Sequence, residues 1–135
     1  MFDPHTIAIV DDDDAMREAL SELLQVFGLK CRVFDRAEAF LLAHGSGSFD
    51  CLITDIRMPG IGGLELLRRL RTTGSTMPVI VVTSYADPAV RERAMDYGAC
   101  AYLTKPLADE TLLQSLRSAL CEREGRVDGG AQSDG

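Results

Sequence analysis

Five short apolar runs alternate with helical patterns along the chain, and this alternation restricts the fold more than any other feature. The runs occupy residues 7–10, 31–34, 51–53, 79–82 and 101–103. Between them, apolar residues recur at the three- and four-residue spacing of amphipathic helices. Strands that alternate with helices form βαβ crossovers, which require parallel strand pairing. The sequence therefore predicts an α/β fold, a five-stranded parallel sheet with helices on both faces.

The composition of the runs separates central strands from edge strands. The first, third and fourth runs are wholly apolar, as expected for strands that helices cover on both faces. Arg32 interrupts the second run, and the short fifth run carries Tyr102, so we expect these two strands at the sheet edges. Gly28 and Gly98 mark expected helix ends, and Asp87 followed by proline is typical of a helix start.

Length, charge and composition restrict the classes of function. The chain has 135 residues and a net charge of −7, which suits one domain and does not favour direct binding of nucleic acid. Its apolar runs are too short to span a membrane and it shows no signal peptide, so we expect a cytoplasmic protein without membrane contact. Residues 1–124 are predicted to form one domain, and residues 125–135 a flexible tail or cut linker.

Two further groups of residues have ordinary structural interpretations. The cysteines form no CxxC pair, so we expect neither a zinc site nor a redox motif. Cys31, Cys51 and Cys100 lie in or beside apolar runs and are predicted to be buried. The predicted third helix carries a basic cluster of Arg68, Arg69 and Arg71. We interpret this cluster as a solvated helix face, with a partner contact as the alternative.

Charged and hydroxyl side chains come directly after four of the predicted strands. They are Asp11 and Asp12 after the first strand, Asp55 after the third, Thr83 after the fourth and Lys105 after the fifth. In open α/β sheets, ligands bind beyond the carboxyl ends of the strands. Crowded carboxylates are costly unless a cation lies among them, and carboxylate oxygens suit Mg²⁺. The sequence therefore predicts a magnesium site at this edge of the sheet.

Four motifs, in this order, resemble those of two-component response-regulator receiver domains. They are IVDD at 9–12, LITDIRMPG at 52–60, VVTS at 81–84 and YLTKP at 102–106. The matching segment extends from about residue 5 to residue 122. It is similar to the chemotaxis receiver and to the receivers of nitrogen-fixation-type regulators. The resemblance implies a receiver domain over residues 1–124, with the flavodoxin-like strand order 2-1-3-4-5.

The resemblance also implies an acceptor and its metal. Asp55 would accept a phosphoryl group from the phosphohistidine of a histidine kinase. Asp12 would bind Mg²⁺ directly, and Asp11 directly or through water, with Mn²⁺ as a substitute. Asp55 itself and the backbone carbonyl of Arg57 would complete the protein's share of the metal ligands.

Further roles follow from the same resemblance. Thr83 and Lys105 would each contact a phosphoryl oxygen, and the peptide bond before Pro106 is expected to be cis. Thr83 and Tyr102 would form a switch that alters the surface of the fourth helix, fifth strand and fifth helix. The side chains of Arg57 and Tyr85 would control water access, and because both are bulky we expect slow self-dephosphorylation rather than enzyme turnover.

Partners and outputs are implied less specifically. Besides the kinase, the resemblance implies a downstream effector protein or a covalently linked output domain, with transcriptional regulation favoured and a phosphorylation-driven homodimer as an option. Two alternatives remain from the residues. One is a receiver-shaped interaction module that is never phosphorylated. The other is a Mg²⁺-dependent phosphatase with an aspartyl nucleophile, although residues 11–14 lack the Thr or Val of the DxDx[TV] pattern.

Overall fold

Strands and helices alternate in the computed structural model, which describes residues 6–46, 49–84 and 87–127. The strands are β1 (Thr6–Val10), β2 (Lys30–Phe34), β3 (Cys51–Thr54), β4 (Val79–Thr83) and β5 (Ala101–Thr104). The helices are α1 (Asp14–Val26), α2 (Ala37–Ser46), α3 (Gly63–Thr72), α4 (Pro88–Asp96) and α5 (Asp109–Val127). Each of the five predicted apolar runs is a strand, so the alternation predicts the element order correctly.

The five strands form one parallel sheet in the order β2-β1-β3-β4-β5. This is the predicted order, and it places the two interrupted runs at the edges. Val10 at the end of β1 pairs with Phe34 on one side and with Thr54 on the other. The connections run in opposite directions from β1 and from β3, so the topological switch point lies between these strands. Loops that follow β1 and β3 therefore meet at one crevice.

Alternate residues of the central strands enter two separate apolar cores. On one face, Val10 and Val81 pack in a cluster with residues of α2, α3 and α4, including the fully buried Leu66. On the other face, Ile53 packs in a cluster with residues of α1 and α5, including the fully buried Leu116. Burial on both faces explains why the sequence runs that form the central strands are wholly apolar.

The predicted helix boundaries have the expected local chemistry. Gly28 and Gly98 follow α1 and α4 with φ angles of +79° and +89°, a conformation that glycine adopts without steric cost. Asp87 precedes α4, and its carboxylate accepts a hydrogen bond of 2.9 Å from the amide of Ala89. Helices thus end and begin where glycine and the aspartate–proline pair predict.

The structure corrects two predictions made from local composition. Cys51 is buried and Cys31 is half-buried, but Cys100 is exposed, because it lies just before an edge strand. Arg71 does not belong to a solvated helix face. The residue is half-buried. Its guanidinium donates to four backbone carbonyls, those of Tyr97, Gly98, Ser75 and Met77.

The C-terminal helix bears on the predicted domain boundary. Helix α5 extends to Val127, so residues 125–127 of the segment predicted as a tail are helical. Residues 128–135 lie outside the described residues, and the boundary at residue 124 stays a prediction. Over the parts of the chain that the structure describes, none of the helices combines the length and apolar character that a bilayer crossing requires.

Candidate functional site

The candidate site lies at the carboxyl-terminal edge of the sheet, beside the switch point. Asp11 directly follows β1, Asp55 directly follows β3 and Lys105 directly follows β5. Backbone hydrogen bonds continue the sheet pairing past the strand ends, from the amide of Asp55 to the carbonyl of Val10 at 3.1 Å and from the amide of Lys105 to that of Thr83 at 2.8 Å. The sheet therefore brings together side chains that lie up to 94 positions apart in the sequence.

Three carboxylates form an acidic cluster at this edge. Asp11, Asp12 and Asp55 each offer an oxygen, and these oxygens lie within 4.8 Å of one another. The side chains of Asp11 and Asp55 are 4% and 9% exposed, whereas Asp12 is exposed. Carboxylate oxygens at such spacing, open to solvent on one side, fit a small divalent cation that keeps part of its water shell. The donor set is therefore suited to Mg²⁺.

Lys105 bridges the two buried carboxylates. Its ammonium nitrogen lies 3.0 Å from Oδ2 of Asp55 and 3.1 Å from Oδ2 of Asp11, and it donates a hydrogen bond to each. The Lys105 side chain is 18% exposed. The peptide bond between Lys105 and Pro106 is cis, as the sequence resemblance implies. One positive charge thus partly offsets two buried negative charges.

Two pKa shifts describe the electrostatics of this contact. Burial raises the pKa of the Asp11 carboxyl above its usual 3.8, although hydrogen bonds from the Asp13 amide and the Lys105 ammonium act in the opposite direction. Burial lowers the pKa of Lys105, but the hydrogen bonds and the charge attraction to Asp55 and Asp11 together outweigh burial, so this pKa lies above the usual 10.5. The ammonium is therefore charged at neutral pH, while the negative charge on Asp11 carries a desolvation cost that a cation would reduce.

The two carboxylate oxygens of Asp55 have different surroundings. Oδ1 accepts hydrogen bonds from the backbone amides of Ile56 at 2.6 Å and Arg57 at 3.3 Å. Oδ2 faces Lys105. The hydroxyl of Thr54 donates to the Asp55 carbonyl at 2.9 Å. The backbone thus fixes the carboxylate plane and leaves Oδ2 on the side of the cationic and acidic groups.

The proposed switch residues occupy neighbouring strands. Thr83 is 1% exposed and ends β4, and Tyr102 in β5 pairs with Val81, two residues before Thr83. Side chains two residues apart in a strand share a face, so Thr83 and Tyr102 lie on the same face of the sheet, and Tyr102 packs half-buried against the core of that face. The Arg57 side chain is exposed. Tyr85 lies outside the described residues.

A supporting contact made by Arg17 was not predicted from the sequence. The guanidinium of Arg17 donates a hydrogen bond of 2.7 Å to the carbonyl of Asp11 and pairs with Asp14. Asp13 caps α1 by accepting from the amides of Ala15 and Met16. The spacing of Asp14 and Arg17 is a signal for the ion pair, but the contact with the Asp11 carbonyl depends on how the loop folds.

Comparison with known proteins identifies the family. A family model described as the response regulator receiver domain matches residues 7–117. The chain belongs to the response-regulator receiver family. The transcriptional regulatory protein FixJ of Bradyrhizobium diazoefficiens is 40% identical over 118 residues, which are 87% of this chain and 58% of that protein. The response regulator protein TmoT of Ectopseudomonas mendocina is 41% identical over 114 residues, which are 84% of this chain and 52% of that protein.

Solved receiver structures share the fold. The crystal structure of FixJ-N is 33% identical and has a TM-score of 0.81, with 88% of this chain and 95% of that chain covered. A CheY-like receiver domain protein from Methanospirillum hungatei is 29% identical and has a TM-score of 0.87, with 92% and 99% covered. The receiver described here spans about half the length of the curated relatives it matches. The similarity therefore concerns the receiver part of those regulators.

Proposed function

We propose that this receiver is a phosphorylation-dependent switch that accepts a phosphoryl group on Asp55 from the phosphohistidine of a partner histidine kinase. The observation that carries the proposal is the environment of the Asp55 carboxylate. It is buried, its Oδ2 lies 3.0 Å from the Lys105 ammonium, and two further carboxylates lie within 4.8 Å. Phosphoryl transfer depends mainly on positioning and on neutralising negative charge, and this arrangement supports both.

In the proposed transfer, Oδ2 of Asp55 forms a bond to phosphorus while the bond from phosphorus to the imidazole nitrogen breaks. The electron pair of the broken bond leaves with the imidazole, and the product is an aspartyl phosphate. The amides of Ile56 and Arg57 hold Oδ1 and so orient Oδ2 for attack. Lys105 moves its hydrogen bond from the carboxylate to a phosphoryl oxygen, and the Thr83 hydroxyl contacts another.

The acidic cluster supports binding of a divalent cation. The carboxylates of Asp11, Asp12 and Asp55 and the backbone carbonyl of Arg57 would hold Mg²⁺, with Mn²⁺ as a substitute. When bound, this cation supplies positive charge that offsets the charge on the phosphoryl oxygens. The Asp11 carboxylate adds to the demand for a cation, because burial raises its pKa and makes its ionised form costly.

Switching and decay depend on residues around the acceptor. Movement of the Thr83 hydroxyl toward the phosphoryl group frees space on the face that it shares with Tyr102, and rotation of the Tyr102 ring changes the surface formed by α4, β5 and α5. The bulky side chains of Arg57 and Tyr85 restrict the water that hydrolyses the aspartyl phosphate. The receiver therefore loses its phosphoryl group slowly and does not act as a turnover enzyme.

The output is proposed from the relatives. FixJ is named a transcriptional regulatory protein and TmoT a response regulator protein, which supports a transcriptional output through a linked domain or an effector protein. A phosphorylation-driven homodimer and a cytoplasmic location belong to the same proposal. The net charge of −7 favours protein contacts over direct binding of nucleic acid by this segment.

Intact-mass measurement after incubation with Mg²⁺ and acetyl phosphate tests the proposal. The wild type is expected to gain one phosphoryl group, which alkali removes, and the Asp55→Asn variant is expected to gain none. No adduct on the wild type would favour the interaction module that is never phosphorylated. An adduct that persists without Asp55 would exclude Asp55 as the acceptor, and sustained hydrolysis of a phosphate ester would favour the phosphatase.

A further inference from the structure

We propose that Glu38 is a positioning residue that sets the geometry of the loop after the phosphoacceptor, residues 56–62. This inference rests on the proposed function, since that loop includes the Arg57 carbonyl. Glu38 lies in the first turn of α2. Its Oε2 accepts a hydrogen bond of 3.3 Å from the amide of Ile61. The bond joins two elements that are 23 positions apart in the sequence.

The loop has little freedom around this contact. Gly60 has a φ of +76°, and a Cβ atom at this position would lie 2.5 Å from Oε2 of Glu38. The carboxylate therefore packs directly against the loop backbone. At the far end of the loop, the Gly63 amide donates to the Ile56 carbonyl at 2.9 Å. Between these contacts Pro59 restricts the backbone, so that displacement of Ile61 is transmitted toward Arg57.

The second oxygen of Glu38 indicates that the contact does not serve stability alone. Oε1 is buried and has no hydrogen-bond partner among the described residues. A buried carboxylate oxygen without a donor is costly, and this cost opposes the favourable hydrogen bond made by Oε2. Truncation of Glu38 removes both effects, so thermal stability should change little. The position of the loop, in contrast, should change.

Two conservative substitutions of Glu38 distinguish the effect of its side-chain length from the effect of its charge. Glu38→Gln keeps the length and an acceptor oxygen but removes the charge, whereas Glu38→Asp keeps the charge but is one methylene too short. If Glu38 acts by positioning, Glu38→Gln resembles the wild type and Glu38→Asp does not. If it acts through its charge near the acidic cluster, the order is reversed. Glu110, which is exposed in the first turn of α5, provides the control pair Glu110→Gln and Glu110→Asp.

The first measurement does not depend on phosphorylation. Hydrogen exchange at the Ile61 amide, followed by NMR, should accelerate in Glu38→Asp and remain unchanged in Glu38→Gln. Titration with Mg²⁺, followed at the Ile56 amide, should show about tenfold weaker binding in Glu38→Asp, at the lower end of the range for groups that orient metal ligands. The Glu110 variants should match the wild type in both measurements.

The rate of adduct formation with acetyl phosphate then links the contact to the proposed function. We expect Glu38→Asp to be slower than the wild type by a factor similar to its loss of Mg²⁺ affinity. Wild-type exchange and Mg²⁺ affinity in Glu38→Asp, or equal losses in both Glu38 variants, would overturn the inference. A wild type that binds Mg²⁺ but forms no adduct would contradict the proposed function instead, and the exchange and Mg²⁺ measurements would still test Glu38.

Discussion

Replacing Lys105 with methionine removes the ammonium that lies between two buried carboxylates. Methionine preserves most of the length and volume of the side chain, so the main change is the loss of one charge. In the folded protein the ammonium lies 3.0 Å from Asp55 and 3.1 Å from Asp11. Without it, the two carboxylates repel one another in surroundings that screen charge poorly. The folded state should therefore lose stability relative to the unfolded chain, in which both groups are hydrated.

The burial of the site sets the magnitude. Removing one partner of a buried ion pair costs about 3–5 kcal/mol. The Lys105 side chain is 18% exposed, so water screens part of the interaction, and we expect about 2–3 kcal/mol. For a domain of this size, each kcal/mol shifts the unfolding midpoint by about 3–5 °C. The Tm of Lys105→Met should therefore be about 6–15 °C below that of the wild type in EDTA.

Thermal unfolding followed by circular dichroism, with and without Mg²⁺, tests both the magnitude and its cause. A divalent cation at the acidic cluster replaces the missing positive charge, so it should bind the variant more tightly and stabilise it more than the wild type. The Tm difference should narrow at saturating Mg²⁺. Lys30→Met, at the exposed first residue of β2, is the control and should change Tm little. A difference that is the same in EDTA and in Mg²⁺ would refute the electrostatic reasoning.

The Tm difference between the wild type and Lys105→Met should also depend on pH. The pKa of Lys105 is raised above 10.5 in the folded protein, so the folded state holds this proton more tightly than the unfolded chain does. Its stabilising contribution is therefore complete below pH 10.5 and is lost as the pH rises through the folded-state pKa. The Tm difference between wild type and Lys105→Met should narrow in that alkaline range. A difference that widens there would contradict the assignment.

Three other predictions concern the rest of the fold. NMR titration of Glu65 should give a pKa of about 2 instead of the usual 4.5, because two neighbouring arginines donate to its carboxylate; an unshifted midpoint would contradict these contacts. Arg71→Met should lower the free energy of unfolding, measured in urea, by about 2–4 kcal/mol, because four backbone carbonyls lose a charged donor. The exposed Arg69→Met should lower it by less than about 1 kcal/mol. Equal losses in the two variants would argue against a structural role for the hydrogen bonds of Arg71. Gly63→Ala should lower both Tm and acetyl phosphate labelling, because a Cβ there would overlap the Asp55 carbonyl oxygen; unchanged labelling would show that the acceptor tolerates the shift.

The fold could be predicted because its determinants are local. Apolar runs and helical spacing lie within windows of a few residues, and each run becomes a strand. Arg32 within the second run and Tyr102 in the short fifth run identify the edge strands, because an edge strand is only partly covered. Cys100 and Arg71 show where local composition misleads. The exposure of Cys100 depends on the edge beside which it lies, and the contacts of Arg71 depend on where α4 ends.

The sequence predicts which residues lie at the candidate site but not the contacts that they make. Asp11, Asp55 and Lys105 follow strands, and parallel strands place their carboxyl ends at one sheet edge. The sequence does not show that Lys105 bridges both carboxylates, since this depends on the distance between β1 and β5 across two intervening strands. Nor does the sequence indicate a role for Glu38, which looks like any polar residue in the first turn of a helix. Its contact with the loop of Ile61 is visible only in the folded structure.

The sequence by itself determined the strands, the helices, the edge strands and the set of charged groups at one end of the sheet. These features depend on neighbouring residues and on the spacing of apolar side chains. Only the tertiary structure decided how closely the charges approach, which oxygen of Asp55 faces Lys105, and which loop Glu38 holds. Hydrogen bonds and ion pairs are sensitive to changes of a few tenths of an ångström in the distance between atoms from distant segments. Such separations are set by the packing of the whole domain.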